Sequence, residues 1–297
     1  MIVIKQSIPG LVRGTWCNLC GSRLGGESAR GAEPWRQQVK WQASPHKALG
    51  WSLCRQCYQE RMRCAACGLH VGEQAVMIEG ERHIYCRYCF EVRPRCDTCG
   101  RPVGTRYWTR PDGRTLCDRC QSTAVSDPGH AHILFRRVCA DAAKWLGMQL
   151  RRPCQLRLVS RRQLMSLLEK SSLHSLDADS RGRCFGLFIR EGDHRSIFVE
   201  YGLPQIVLLE VMAHEYAHAW QSEQCPPDDT GEVQEGFAEW VAYKLLEGWG
   251  CWRRSNRMLR RDDLYGRGLK LMLQWEQAGG TAEVFRRVRE PRRRAES

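Results

Sequence analysis

The 297-residue sequence predicts an α+β chain in two parts: a tandem of three small four-cysteine zinc modules, then a mainly helical domain with a small antiparallel sheet. Three observations carry this. Twelve of the 17 cysteines lie between Cys17 and Cys120, all in C-x-x-C pairs. Beyond residue 130, apolar residues recur at three- and four-residue spacing, the helical period. With 42% apolar and 27% charged residues the chain can bury a core, which sets disordered and collagen-like classes aside. No apolar stretch approaches the ~18–20 residues of a membrane span. The opening MIVIKQSIPG reaches Lys5 long before a signal-peptide core is complete. A cytoplasmic protein with no membrane partner is expected.

Residues 1–124 form the cysteine region. Module one (about 17–57) holds Cys17, Cys20, Cys54 and Cys57; module two (64–89) holds Cys64, Cys67, Cys86 and Cys89; module three (96–120) holds Cys96, Cys99, Cys117 and Cys120. Gly21, Gly68 and Gly100 follow the first pair of each, so the region is an internal repeat. Two C-x-x-C knuckles around a short hairpin can set four sulfurs tetrahedrally about one ion, the closed arrangement of a structural zinc site. In a chain without an export signal, that reading is favoured over disulfides. His83 sits at His-x-x-Cys spacing in module two and is either a fifth donor or a surface histidine. Its counterparts Trp51 and Arg114 cannot ligate, which favours the surface reading. The lone cysteines Cys139, Cys154, Cys184, Cys225 and Cys251 read as small core residues.

The net charge of +13 argues only weakly for nucleic acid. Residues 1–127 carry a net +8, which three Zn(Cys)₄ sites would cut to about +2. Much of the remainder sits in the stretch 286–294 and the basic tail 291–297, so nucleic acid is not expected as a partner.

The second domain spans 130–290. A Ser/Asp/Pro/Gly stretch over 122–129 reads as a linker. Ile133, Leu134, Val138, Ala142, Trp145 and Leu146 form one buried helical stripe. Residues 155–159 read as a strand, and Ser160 caps a helix through Lys170. The runs 184–190 and 196–200 flank a turn as a hairpin. Pro204 opens a helix to about Glu223, residues 225–229 break it, and a second helix covers about 231–248.

The first of those two helices contains His214-Glu215-Tyr216-Ala217-His218. Positions i and i+4 share a helix face, so both imidazoles can reach one ion, with Glu215 beside it. A hydrolytic zinc site takes three protein ligands and keeps one position open. Glu235, on the following helix, is the expected third ligand, and Glu239 one turn later is either a carboxylate that orients a ligand histidine or a solvated charge. The chemistry expected is metal-assisted hydrolysis with Glu215 as general base. Tyr265 is the candidate donor to the oxyanion. The strand 196–200 could pair with an extended substrate. The cofactors expected are therefore one catalytic and about three structural zinc ions. The alternative from another class is a zinc-finger adaptor for protein or nucleic acid with a vestigial site, motivated by aromatics such as Tyr107 and Trp108 and by the arginine tail.

With these motifs the chain resembles zinc peptidases whose third ligand is glutamate (gluzincins), and Glu235-Gly236-Phe237-Ala238 is similar to a segment of the aminopeptidase N family. It more closely resembles the LIM-domain peptidases that regulate plant organ size, the DA-one family. That likeness rests on Tyr201-Gly202-Leu203-Pro204, Ala213-His214-Glu215, His218-Ala219-Trp220, Glu235-Gly236 and Leu264-Tyr265-Gly266-Arg267-Gly268. The resemblance implies LIM-like modules before a zincin-like domain, and a latent intracellular endopeptidase acting on proteins or peptides. It also implies activation by ubiquitination, which the residues do not support: no acidic ubiquitin-interacting helix precedes the first knuckle. The modules stand six residues apart, whereas a LIM domain leaves two between its zinc sites. A regulatory protein partner for the zinc modules is the remaining expectation.

Overall fold

The computed structural model describes residues 17, 22, 37–42, 48–71, 74–77, 83–170, 184–226 and 231–290. The chain divides into two compact units, Met1–Arg119 and Cys120–Ser297. Among the described residues, no helix is long and apolar enough to cross a membrane.

The first unit holds β1 (Gln37–Gln42), β2 (Ala48–Leu53), α1 (Arg55–Arg61), β3 (Gln74–Met77), β4 (Ile84–Cys86), α2 (Arg87–Val92), β5 (Tyr107–Thr109) and β6 (Thr115–Cys117), with α3 (Asp118–Ser122) at the division. One sheet runs β2-β1-β3-β4, and β5 pairs antiparallel with β6. The cysteine repeat is repeated in the backbone. Cys17, Cys64 and Cys96 each donate their N–H five residues on, to Ser22, Leu69 and Arg101, at 2.7–2.8 Å. Gly68 and Gly100 close the knuckles at φ 76° and 74°, a left-handed conformation that explains why glycine follows the first pair of modules two and three.

The second unit comprises β7 (Ala124–Val125), α4 (Pro128–Leu146), β8 (Gln155–Val159), α5 (Arg161–Lys170), β9 (Gly186–Glu191), β10 (His194–Glu200), β11 (Leu203–Pro204), α6 (Gln205–Gln224), α7 (Glu232–Gly248), α8 (Trp252–Met258) and α9 (Leu264–Arg289). The core is built on α6, α4, α7 and α9. Helix α6 is apolar nearly all round, as a helix walled in by neighbours must be, and Leu208, Met212, Phe237 and Trp240 are fully buried. Trp220, Phe237, Trp240 and Phe285 add edge-to-face and stacked ring contacts.

Four expectations are corrected. The sheet, ordered β8-β10-β9, is mixed and not antiparallel: β8 lies parallel to β10, because α5 lies in the crossover between them. Residues 196–200 therefore belong to a central strand paired on both sides, and among the described residues β9 is an edge. The Glu200 N–H donates to Phe185 O at 2.9 Å, and the antiparallel alternation turns the backbone groups of Gly186, Phe188 and Arg190 away from β10. The stretch 122–129 is structured: β7 pairs with β11, and Asp127 caps α4 by accepting from the His130 N–H at 2.7 Å. Lastly, α4 buries Leu134, Val138, Ala142 and Leu146, but Ile133 is 57% and Trp145 39% exposed, since both lie off the i, i+4 row that faces the core.

Candidate metal centre

Two clusters of four sulfurs are drawn together, Cys64/Cys67/Cys86/Cys89 and Cys96/Cys99/Cys117/Cys120, with ligand atoms within 4.8 Å of one another. Cys99 and Cys117 sulfurs stand 3.8 Å apart, which matches the edge of about 3.8 Å in a tetrahedron of Zn–S bonds. Cys17, Cys54 and Cys57 form a third group, and Cys20 lies outside the described residues. Cys54 and Cys86 are the N-caps of α1 and α2, taking N–H bonds from Cys57 and Cys89 at 3.4 Å. Burial disfavours the thiolate of Cys64, yet backbone N–H groups around it hold its pKa at about 7, primed to ligate. The Cys64/Cys67/Cys86/Cys89 cluster closes without His83, which is exposed. These clusters are compatible with LIM-type zinc modules.

In the second unit α6 and α7 bring His214, His218 and Glu235 to one point. The Nε2 atoms of His214 and His218 are 3.0 Å apart, and Glu235 Oε2 lies 3.2 and 3.5 Å from them. Donors bound tetrahedrally at ~2.0–2.1 Å are separated by about 3.4 Å, so the triangle fits one zinc ion. The outer ring nitrogens are held as well. His214 Nδ1 is 3.3 Å from Glu239 Oε2, and His218 Nδ1 is 3.0 Å from Gln221 Oε1, so each ring turns its bare nitrogen inward. Gln221 in turn donates to the Gln234 carbonyl at 3.1 Å, tying α6 to the ligand-bearing turn of α7. Burial opposes charge on both histidines, but Glu235, with Glu239 at His214, raises them above the ordinary range. Burial likewise opposes the charge on Glu235, and the two imidazoles overcome it, holding the carboxyl down at about 2.

Glu215 is 5% exposed, and β9 runs directly against it: a Cβ on Gly186 would stand 2.9 Å from Glu215 Cγ and Oε1. Tyr265, at the start of α9, puts its ring centroid 5.9 Å from that of His214. The structure therefore gathers every residue read from the H-E-x-x-H helix and its partners, and resolves Glu239 as the carboxylate behind His214. It adds Gln221, Gly186 and Arg261, whose Nη1 donates to Glu239 Oε1 at 2.9 Å; sequence reasoning missed all three. Of these only Gln221 had a local signal, standing one turn from His218.

A cysteine-rich unit is followed by a His-His-Glu group that could hold a metal ion. The chain is similar to Protein DA1-related 2 of Arabidopsis thaliana, 29% identical over 171 residues covering 48% of this chain and 32% of that one. It is also similar to LIM domain-containing protein HDR3 of Oryza sativa subsp. japonica (25% over 172 residues, 48% and 34%) and to Protein DA1 of Arabidopsis thaliana (26% over 171 residues, 48% and 32%). The resemblance to the DA1 family read from the sequence is thus borne out, and the match spans about a third of the length of these relatives. No protein-family model matches the chain. No solved structure matches it either.

Proposed function

We propose that the second unit is a zincin-like peptidase domain and that the chain hydrolyses peptide bonds with zinc held by His214, His218 and Glu235. The observation that carries this is the 3.0–3.5 Å triangle of donors with Glu215 adjoining it on the same helix. A zinc ion in that seat supplies the Lewis acidity that makes water a nucleophile near neutral pH and polarises a carbonyl. Two neutral histidines and one carboxylate leave the seat a net positive charge. Glu215 accepts the proton of the attacking water and returns it to the amine nitrogen as the C–N bond breaks. Tyr265 donates to the carbonyl oxygen as it gains charge. The β9 edge offers the outward backbone groups of Phe188 and Arg190 to an extended peptide, the Gly186 carbonyl being taken by the Cys184 thiol at 2.8 Å. The cysteine modules serve docking or regulation, for which Leu69 and Tyr88, each 69% exposed, supply apolar contact points.

The test is a search for new N-termini in a lysate treated with the wild type or Glu215→Gln, alongside zinc analysis of both. Cleavages made by the wild type alone, with equal zinc contents of four ions per chain, support the reading. Identical cleavage patterns together with three ions or fewer overturn it, leaving the adaptor.

A further inference from the structure

Arg261 lies 22 residues beyond Glu239 in the loop before α9, outside every motif above, yet its guanidinium is engaged on three sides. Nη1 donates to Glu239 Oε1 at 2.9 Å, Nε and Nη2 donate to Asp263 at 2.9–3.1 Å, and the guanidinium carbon lies 4.6 Å from the Tyr265 ring centroid. Its backbone is pinned too. Lys270 Nζ donates to the Arg261 carbonyl at 2.9 Å, and a side chain on Gly266 would collide with that same carbonyl. Asp263 is also the N-cap of α9, accepting from the Gly266 N–H at 3.0 Å. An unbroken polar path therefore runs from the His214 ring through Glu239, Arg261 and Asp263 to the cap of the helix that carries Tyr265.

Charge gives the path a purpose. Around a dication and two neutral imidazoles stand three buried carboxylates, Glu215, Glu235 and Glu239, each 5% exposed or less. Together they exceed the ion's charge by one, and Arg261, itself also paired with Asp263, is in contact with Glu239, with Arg254 acting on the same carboxylate. A planar guanidinium serves Glu239 and Asp263 from separate nitrogens in a fixed fork, a geometry that the single nitrogen of a lysine does not impose.

We propose that Arg261 is a positioning residue for the metal centre: by clamping Glu239 it fixes the His214 ring, and through Asp263 it links ion retention to the start of α9. The proposal rests on the His-His-Glu seat holding an ion. The test is zinc competition against a chromophoric chelator on the full chain, with the visible spectrum of the cobalt-substituted protein as a second readout. Arg261→Gln should weaken the fourth ion by about 10–100-fold and shift the cobalt bands. Arg261→Lys should recover part of the loss, and Asp263→Asn should weaken the ion in the same direction. In a Glu239→Gln background, Arg261→Gln should cost little more, since both act through one contact. Losses that multiply, or an unchanged affinity in Arg261→Gln, overturn the proposal; an unaffected Asp263→Asn overturns the link to α9. Thermal melts identify a variant that fails to fold, in which case Arg261→Lys carries the comparison. A wild type whose ion content is unchanged by His218→Ala sinks the metal-centre reading itself, a different result from an ion that is held there but indifferent to Arg261.

Discussion

Gly236 and Gly268 meet backbone to backbone: a Cβ on Gly236 would lie 2.6 Å from the Gly268 Cα. This is where α7 crosses α9, with Glu235 one residue to one side and Tyr265 three residues to the other. The absence of two side chains thus sets the distance between the third donor and the tyrosine. Gly236→Ala should force the helices apart, destabilising the unit by about 1–3 kcal/mol or somewhat more, since backbone must give way. A melting temperature lowered by several degrees, with the fourth zinc lost more easily than the cysteine-bound ions, is the expected result. An unchanged melt would show that the crossing can relax.

Gly186 plays a corresponding part for Glu215. Any side chain there presses on Glu215 and on Val211, so Gly186→Ala should move the carboxylate while leaving the three donors in place. On the proposed peptidase function, the expected outcome is a hydrolysis rate down by about 100-fold with zinc content unchanged, the effect of displacing a reacting group by about 1 Å. Loss of the ion along with the rate would instead mean that β9 supports the seat as a whole.

How much of this was legible in the sequence follows from the range of each interaction. His214, Glu215 and His218 share one helical turn, so spacing alone places them, and the left-handed glycines after Cys64-x-x-Cys67 and Cys96-x-x-Cys99 repeat in a way that pattern reveals. Glu235 needed only a turn between two helices. Arg261 reaches Glu239 from a loop whose path depends on the Gly266 contact and the Asp263 cap, and no periodicity encodes that. The reversal at residues 196–200 has the same origin. An alternating run shows that a strand exists, but the α5 crossover decides whether it becomes an edge or a centre.

Proton linkage at the seat has a definite sign. Burial disfavours the imidazolium forms, but Glu235, Glu239 and Glu215 raise His214 and His218 above the usual 6.5, whereas Glu235 stays ionised down to about 2. An ion needs both rings neutral, so binding releases up to two protons, and affinity for the fourth zinc should climb as pH rises from 5.5 to 8. Stability of the metal-free unit should move the opposite way. The imidazolium contribution is fully present below 6.5 and fades as pH rises through the raised values; that of Glu235 is present above its unfolded 4.5 and is lost towards 2. Melting curves with and without zinc over that pH range check both, and parallel trends would contradict the assignment.

The cysteines outside the modules should be slow thiols. Burial pushes Cys139 and Cys225 up to about 11 and Cys154 to about 12, the last with help from neighbouring Cys139. At pH 8 a thiol near 11 holds roughly a two-hundredth of the thiolate of one at 8.5. The rarer thiolate is the stronger nucleophile, which returns about tenfold, so alkylation should run about 20-fold slower than for a free cysteine. Mass spectrometry of the zinc-loaded protein after brief iodoacetamide treatment should find Cys139, Cys154 and Cys225 almost unlabelled, and urea should restore ordinary rates. Rapid labelling of Cys139 or Cys154 in the folded protein would show that the cavity of about 1050 Å³ that both residues line leaves their thiols less desolvated than their burial implies.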